Sequence, residues 1–195
     1  MTWLVMLGGK SQGADAAEGG PDGHTWRDRE VFHSPVRPMQ FCYAAKHAHA
    51  VPSVIWDAAV VLSKLLEHQC EALRLPNSRC VEIGAGCGLV GVAAAILGAE
   101  VAITDRNDES TLAMITSNVE ANVPTAQRER VTVTELTWGE TKPGKLQGPD
   151  YVLSSDPLVC EGCITPLVQC LVSLCHDWPK TKVTNEPHHR KRAYA

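Results

Sequence analysis

The sequence predicts an α/β domain built on a mostly parallel sheet, and three observations carry this. Short apolar runs rich in β-branched residues alternate with longer segments whose apolar residues recur every three or four positions. Such alternation marks strand–helix–strand crossovers, which are right-handed where the strands run parallel. The stretch Arg79-Cys-Val-Glu-Ile-Gly-Ala-Gly-Cys-Gly-Leu-Val-Gly-Val-Ala-Ala-Ala-Ile-Leu-Gly98 reads as one such unit: a strand, a glycine turn and a helix. Finally, the glycine turn, Asp105, Trp138 and Ser155–Asp156 each fall at or just past the end of a predicted strand. In parallel sheets ligands sit beyond the carboxyl ends of the strands, so these four points converge on one cleft.

The elements follow in order. Residues 1–30 read as a disordered N-terminal segment, because 8–25 is rich in Gly, Ala, Asp and Ser and has no periodicity. The opening Met-Thr-Trp-Leu-Val-Met-Leu is apolar but lacks a basic n-region and a small-residue cleavage site, so it is not read as a signal peptide. The domain itself is expected over 31–184. Met39–Tyr43 is a short strand. Val54–Glu67 is a helix with Ser53 as N-cap, Asp57 in its first turn, and an apolar face of Ala58, Val61, Leu62, Leu65 and Leu66. Trp56 at its start suits a core position by its bulk, but it lies just ahead of the glycine-turn unit, within reach of a ligand pocket.

Cys80–Ile83 is short and mostly apolar, as a central parallel strand should be. Gly84, Gly86 and Gly88 permit positive φ and close approach of a ligand to bare backbone. Leu89, Val92, Ala93 and Ile96 then recur at helical spacing, and the helix start offers N–H groups and a positive dipole end. Val101–Asp105 is the second strand of the series. Ser110–Asn122 is a helix carrying Leu112, Ile115 and Val119, ended by Asn122-Val-Pro124. Val131–Leu136 is a third strand and Asp150–Ser155 a fourth. Ile164–Cys175 is a helix with Leu167, Val168, Leu171 and Leu174 on one face, and Thr181–Thr184 a fifth strand. Residues 185–195 form a basic tail whose His188-His-Arg-Lys-Arg192 run is a solvated segment rather than a site.

Composition excludes several classes. A net charge of −4 argues against a general nucleic-acid binder. No apolar run reaches the length of a membrane span, so a cytoplasmic protein is expected. Of eight cysteines, Cys80, Cys170 and Cys175 fall on predicted core elements and read as buried reduced thiols. Cys160-Glu-Gly-Cys163 is a lone CxxC without a second pair, so no metal is assigned to it.

Two cofactors fit the central turn. Gly86-Cys-Gly-Leu-Val-Gly91 matches GxGxxG, a weak sign of a dinucleotide. Glu82-Ile-Gly-Ala-Gly-Cys-Gly88 places an acidic residue before GxGxG, an arrangement similar to motif I of class I S-adenosylmethionine-dependent methyltransferases. That cofactor has no pyrophosphate, and a glycine turn can approach its methionine and ribose portions. Asp105 can accept both ribose hydroxyl protons. Glu82 either acts on the ammonium, through water, or orients the turn.

Several further motifs occur in the same order: Val-Ile-Trp56-Asp-Ala-Ala, Ile-Thr-Asp105-Arg, Ser-Asn118-Val-Glu-Ala-Asn122 and Glu-Leu-Thr-Trp138-Gly. Together with Val-Glu82-Ile-Gly-Ala-Gly-Cys-Gly-Leu-Val-Gly91 they resemble the methyltransferase-like 21 group of protein lysine methyltransferases, over residues 38 to 175. The closest resemblance is to the branch that methylates seventy-kilodalton heat-shock chaperones. It implies a class I, Rossmann-like methyltransferase domain, S-adenosylmethionine as cofactor and a chaperone as protein partner. Trp56 would pack near the methionine end, and Gly84, Ala85 and Gly86 would contact the cofactor through backbone. Asp105 would hold the ribose, Trp138 would flank the adenine, and Ser155 would line the pocket beside the methyl group. Asp156 matches the first position of the family's Asp-x-x-Tyr motif and would serve catalysis by holding the incoming ammonium.

The resemblance breaks in two places. The stretch reads Asp156-Pro-Leu-Val159, with valine where the family has an aromatic. Val159 can wall a channel but offers no ring face to a cation. The family's sheet also continues past its fifth strand into an antiparallel hairpin, and this C-terminal hairpin is missing from residues 185–195. These departures bear on turnover more than on cofactor binding. They leave a pseudo-methyltransferase, binding cofactor or chaperone without transfer, as the alternative. An NAD-dependent oxidoreductase would need a hydride-transfer acid–base residue and a substrate domain, and the sequence presents neither.

Overall fold

A computed structural model of the chain describes residues 2–6, 29–33, 38–41, 55–142, 144, 146, 148–157 and 161–176. The elements are β1 (Thr2–Met6), β2 (Arg29–His33), β3 (Pro38–Phe41), α1 (Asp57–His68), β4 (Arg79–Ile83), α2 (Leu89–Ile96), β5 (Glu100–Asp105), α3 (Glu109–Asn122), β6 (Val131–Glu135), β7 (Tyr151–Ser155) and α4 (Ile164–His176). Five strands form one sheet in the order β1-β7-β4-β5-β6, with every neighbouring pair parallel. This is the parallel α/β architecture the alternation of elements predicts, with the Rossmann-like layering the family resemblance implies. β2 and β3 pair antiparallel in a separate two-stranded sheet, and β3 lies against α3.

The chain runs outward from β4 through β5 to β6, then returns across the sheet to place β7 on β4's other side. The connections leaving β4 and β7 therefore diverge at the carboxyl edge, which opens a crevice there. The two faces of the sheet follow from strand alternation. Cys80, Val101, Ile103 and Leu153 pack with Leu62 and Leu66 of α1, nearly all of α2, and Met114, Ile115 and Val119 of α3. Val81, Ile83 and Val152 point to the opposite face, against Leu167, Cys170 and Leu174 of α4. Helix α2 is buried on every side from Leu89 to Ala95, which is why its small residues stand where larger ones would not fit.

Four expectations need correction. The segment 1–30 is not without structure at its ends, since Thr2–Met6 and Arg29–His33 are strands. Thr-Trp-Leu-Val-Met is rich in strand formers, and it covers the outer edge of β7 with Thr2 opposite Tyr151 and Met6 opposite Ser155. Helix α1 starts at Asp57, not Val54. Trp56 keeps an extended backbone (φ −84°, ψ 148°), and its carbonyl accepts the first helical N–H, from Ala59, at 2.9 Å. Val61 and Val168 are 50% and 52% exposed. The buried faces of their helices instead run through Ala58, Ala59, Leu62, Ser63 and Leu66, and through Leu167, Cys170 and Leu174. Ser53, Val159, Cys160, the strand expected at Thr181–Thr184 and the basic tail lie outside the described residues. No helix among the described residues is long and apolar enough to cross a membrane.

Candidate active site

A cavity of about 390 Å³ opens at the carboxyl edge of the sheet. It is lined by Trp56 ahead of α1, by Gly84, Ala85 and Gly86 after β4, by Asp105 at the end of β5, by Trp138 after β6, and by Ser155 and Asp156 at the end of β7. All eight residues singled out from the sequence thus meet in one place. The walls also include Ile55, Cys87, Arg106, Thr137, Pro157, Cys163 and Pro166. Arg106 and Thr137 are direct neighbours of Asp105 and Trp138, so strand-end logic reaches them. Cys163 and Pro166 arrive from a separate 3-10 turn and the start of α4, and no sequence pattern signals that.

The glycine turn is fixed by its surroundings. Gly84 has φ +62°, and a Cβ there would lie 2.9 Å from Cζ2 of Trp138. The indole edge thus rests on bare backbone, which requires glycine. The Ala85 N–H donates to the Thr104 carbonyl at 3.0 Å, and the Gly86 N–H donates to Oδ2 of Asp105 at 2.8 Å. Asp105 Oδ1 accepts the Arg106 N–H at 2.8 Å. Burial pushes the Asp105 carboxyl up, while the Gly86 and Arg106 N–H groups hold it down. From the strands below, the Thr104 hydroxyl donates to the Glu82 carbonyl at 2.6 Å and the Ser154 hydroxyl to the Ile83 carbonyl at 3.1 Å.

Glu82 takes the second of its two possible roles. It is 1% exposed and is not among the cavity's lining residues. Its Oε2 accepts the Gly91 N–H at 2.9 Å, so it satisfies a donor in the first turn of α2 from below. No side chain caps α2 at Gly88, and Glu82 supplies from the strand what a capping residue ordinarily would. The approach is close: a Cβ on Gly91 would fall 2.4 Å from Glu82 Oε2 and 2.6 Å from Cγ1 of Ile103. The third glycine of GxGxxG is therefore a packing requirement. Burial pushes the Glu82 carboxyl up to about 8, opposed by the Gly91 N–H and reinforced by Asp105.

The opposite end of the cavity is built differently. Asp156 has φ +48°, a left-handed backbone at a non-glycine residue. Such conformations cost roughly 1–3 kcal/mol and concentrate at functional sites. Pro157 follows, and Gly162, Cys163 and Pro166 also line the cavity.

These residues suit S-adenosylmethionine. Each Asp105 oxygen accepts one backbone N–H and keeps a lone pair, enough to receive the two hydroxyls of a ribose. The cavity walls combine Trp138, Trp56, Ile55 and Leu136 with a few polar groups, the usual make-up of a small-molecule site.

Comparison with known proteins agrees with this geometry. A family model described as "Lysine methyltransferase" matches residues 41–193. The protein N-lysine methyltransferase METTL21A of Mus musculus is 41% identical over 156 residues, covering 75% of this chain and 68% of that protein. METTL21A of Danio rerio is 45% identical over 125 residues, covering 64% of this chain and 56% of that protein. EEF1A lysine methyltransferase 3 of Xenopus tropicalis is 33% identical over 141 residues, covering 72% of this chain and 58% of that protein. The chain thus spans between about half and two thirds of the length of these relatives. On a family match that covers most of its length, and on these relatives, the chain belongs to the lysine methyltransferase family.

Proposed function

We propose that the chain transfers a methyl group from S-adenosylmethionine to a lysine of a protein substrate, and that this substrate is a seventy-kilodalton heat-shock chaperone in the cytoplasm. The observation that carries the reading is the convergence of Trp56, Gly84–Gly86, Asp105, Trp138, Ser155 and Asp156 on one cavity in a lysine methyltransferase domain. The chaperone is favoured by the sequence motifs, which resemble the chaperone-methylating branch of the methyltransferase-like 21 group.

When bound, S-adenosylmethionine supplies an activated methyl on a sulfonium. Gly84, Ala85 and Gly86 present backbone to its amino-acid portion, with Trp56 alongside. Asp105 would take the ribose hydroxyls and Trp138 would flank the adenine. Ser155 would line the cavity beside the methyl. In-line transfer needs the lysine amine neutral, oriented and shielded from water. Asp156 at the mouth attracts the incoming ammonium and positions the amine once its proton is lost to solvent.

The test is incubation of the folded protein with methyl-labelled cofactor and a purified chaperone. Label on a chaperone lysine is the expected result. Absence of label in a folded sample that binds S-adenosylhomocysteine would favour the second reading, a binder without turnover. Val159 motivates that reading, and recovery of transfer in Val159→Tyr would attribute the loss to the missing ring.

A further inference from the structure

The Asn118–Asn122 motif has no part in the cavity wall, yet Asn118 is fully buried and aimed at the glycine turn. Its Nδ2 donates to the Cys87 carbonyl at 2.9 Å, across 31 residues of chain. That carbonyl shares a peptide unit with the Gly88 N–H, which donates to the Ala85 carbonyl at 2.8 Å. A trans peptide points its C=O and N–H in opposite directions. The Cys87–Gly88 plane is therefore pinned at both ends, by Asn118 on one side and Ala85 on the other. Rotating it would break both bonds at once. Ala85 is in turn held by its own N–H on Thr104, and Gly86 by Asp105.

Helix α3 braces the same turn at a second point. Ile115, three residues before Asn118, packs against Gly88, where an added Cβ would sit 3.2 Å from its Cγ2. Asn122 Nδ2 donates to the Asn118 carbonyl at 2.9 Å, tying the two asparagines together.

We infer that Asn118 is a positioning residue for the cofactor. It never touches the ligand, and it sets the backbone of Gly84–Cys87 by fixing the Cys87–Gly88 peptide. Without its donor one of the two bonds that pin this peptide is gone, its plane is held less firmly, and the cofactor must order the turn on binding. Affinity falls while the fold persists. This inference rests on the proposed reading of the cavity as an S-adenosylmethionine site.

The test compares wild type, Asn118→Leu and Asn118→Ala by calorimetric titration with S-adenosylhomocysteine and by thermal unfolding with and without it. Leucine fills nearly the same space without a donor, so it preserves packing where alanine could collapse the site. The expected result is binding weakened about tenfold in Asn118→Leu, and a smaller ligand-induced rise in melting temperature than in wild type. A purely structural role would lower the melting temperature equally with and without ligand and leave the dissociation constant unchanged, which would overturn the inference. Failure of wild type to bind would overturn the cofactor reading and the inference with it, whereas wild-type binding matched by the variant would overturn the inference alone.

Discussion

The two ends of the cavity are held in different ways. At the end formed by β4 and β5, backbone groups in the turn and in the strand leading to it have buried partners: Thr104, Ser154, Asn118 and Asp105 each reach them from a neighbouring element, and Glu82 reaches under the turn to α2. At the end formed by β7 and α4, the cavity is lined by a left-handed Asp156 and by a short 3-10 turn. There α4 also leaves Ile164, Val168 and Val172 about half exposed. The first end is over-determined, as a site that must grip one invariant ligand should be. Among the described residues the second shows no comparable set of side-chain hydrogen bonds, and the proposed reading gives this end to the protein substrate.

Substitutions can break or sharpen this contrast. The largest effect is expected from Gly91→Ala, which drives a methyl into Glu82 and Ile103 in a core with no slack. We expect about 3 kcal/mol lost from stability, read as a fall in urea midpoint, with cofactor binding lost only as the fold goes. Next, the two carboxylates should separate cleanly. Asp156→Ala should reduce methyl transfer on the order of a hundredfold while S-adenosylhomocysteine binds as in wild type. Asp105→Ala should weaken that binding by about 2 kcal/mol, or roughly thirtyfold. If both variants lost binding alike, the division into two ends would be wrong.

The smallest effect concerns Glu82. Its carboxyl is raised from 4.5 to about 8 in the fold by burial, so the folded state holds that proton more tightly than the unfolded chain. This contribution is complete below pH 4.5 and is lost as pH rises towards 8. Glu82→Gln keeps an acceptor for the Gly91 N–H and cannot ionise. Its denaturant midpoint should fall less than that of wild type between pH 5 and pH 8, and parallel profiles would contradict the assignment.

The same contrast decides how much the sequence reveals. The over-determined end was legible because its chemistry is local: a glycine turn lies beside its strand, and Asp105 ends the next one. Even there, Glu82's reach to Gly91 and Asn118's reach to Cys87 are tertiary contacts that spacing cannot display. Spacing places the buried faces of α1 and α4 only in part, for a related reason. Val61 and Val168 sit at helical spacing with core residues, but period alone does not say where the neighbouring element stops. β1 is hidden because its five residues precede a long polar stretch, and its partners are distant: the edge of β7, some 150 positions away, and α1. The start of α4 joined the cavity through a connection that no periodicity describes.

The central claim is that the end built on Gly84–Gly86 and Asp105 is a complete S-adenosylmethionine site within this chain. Calorimetric titration of the 195-residue protein with S-adenosylhomocysteine, beside a parallel titration with NAD, tests it most directly. The account predicts one equivalent of S-adenosylhomocysteine bound and none of NAD. Binding of NAD, or no binding of S-adenosylhomocysteine to a folded sample, would contradict it.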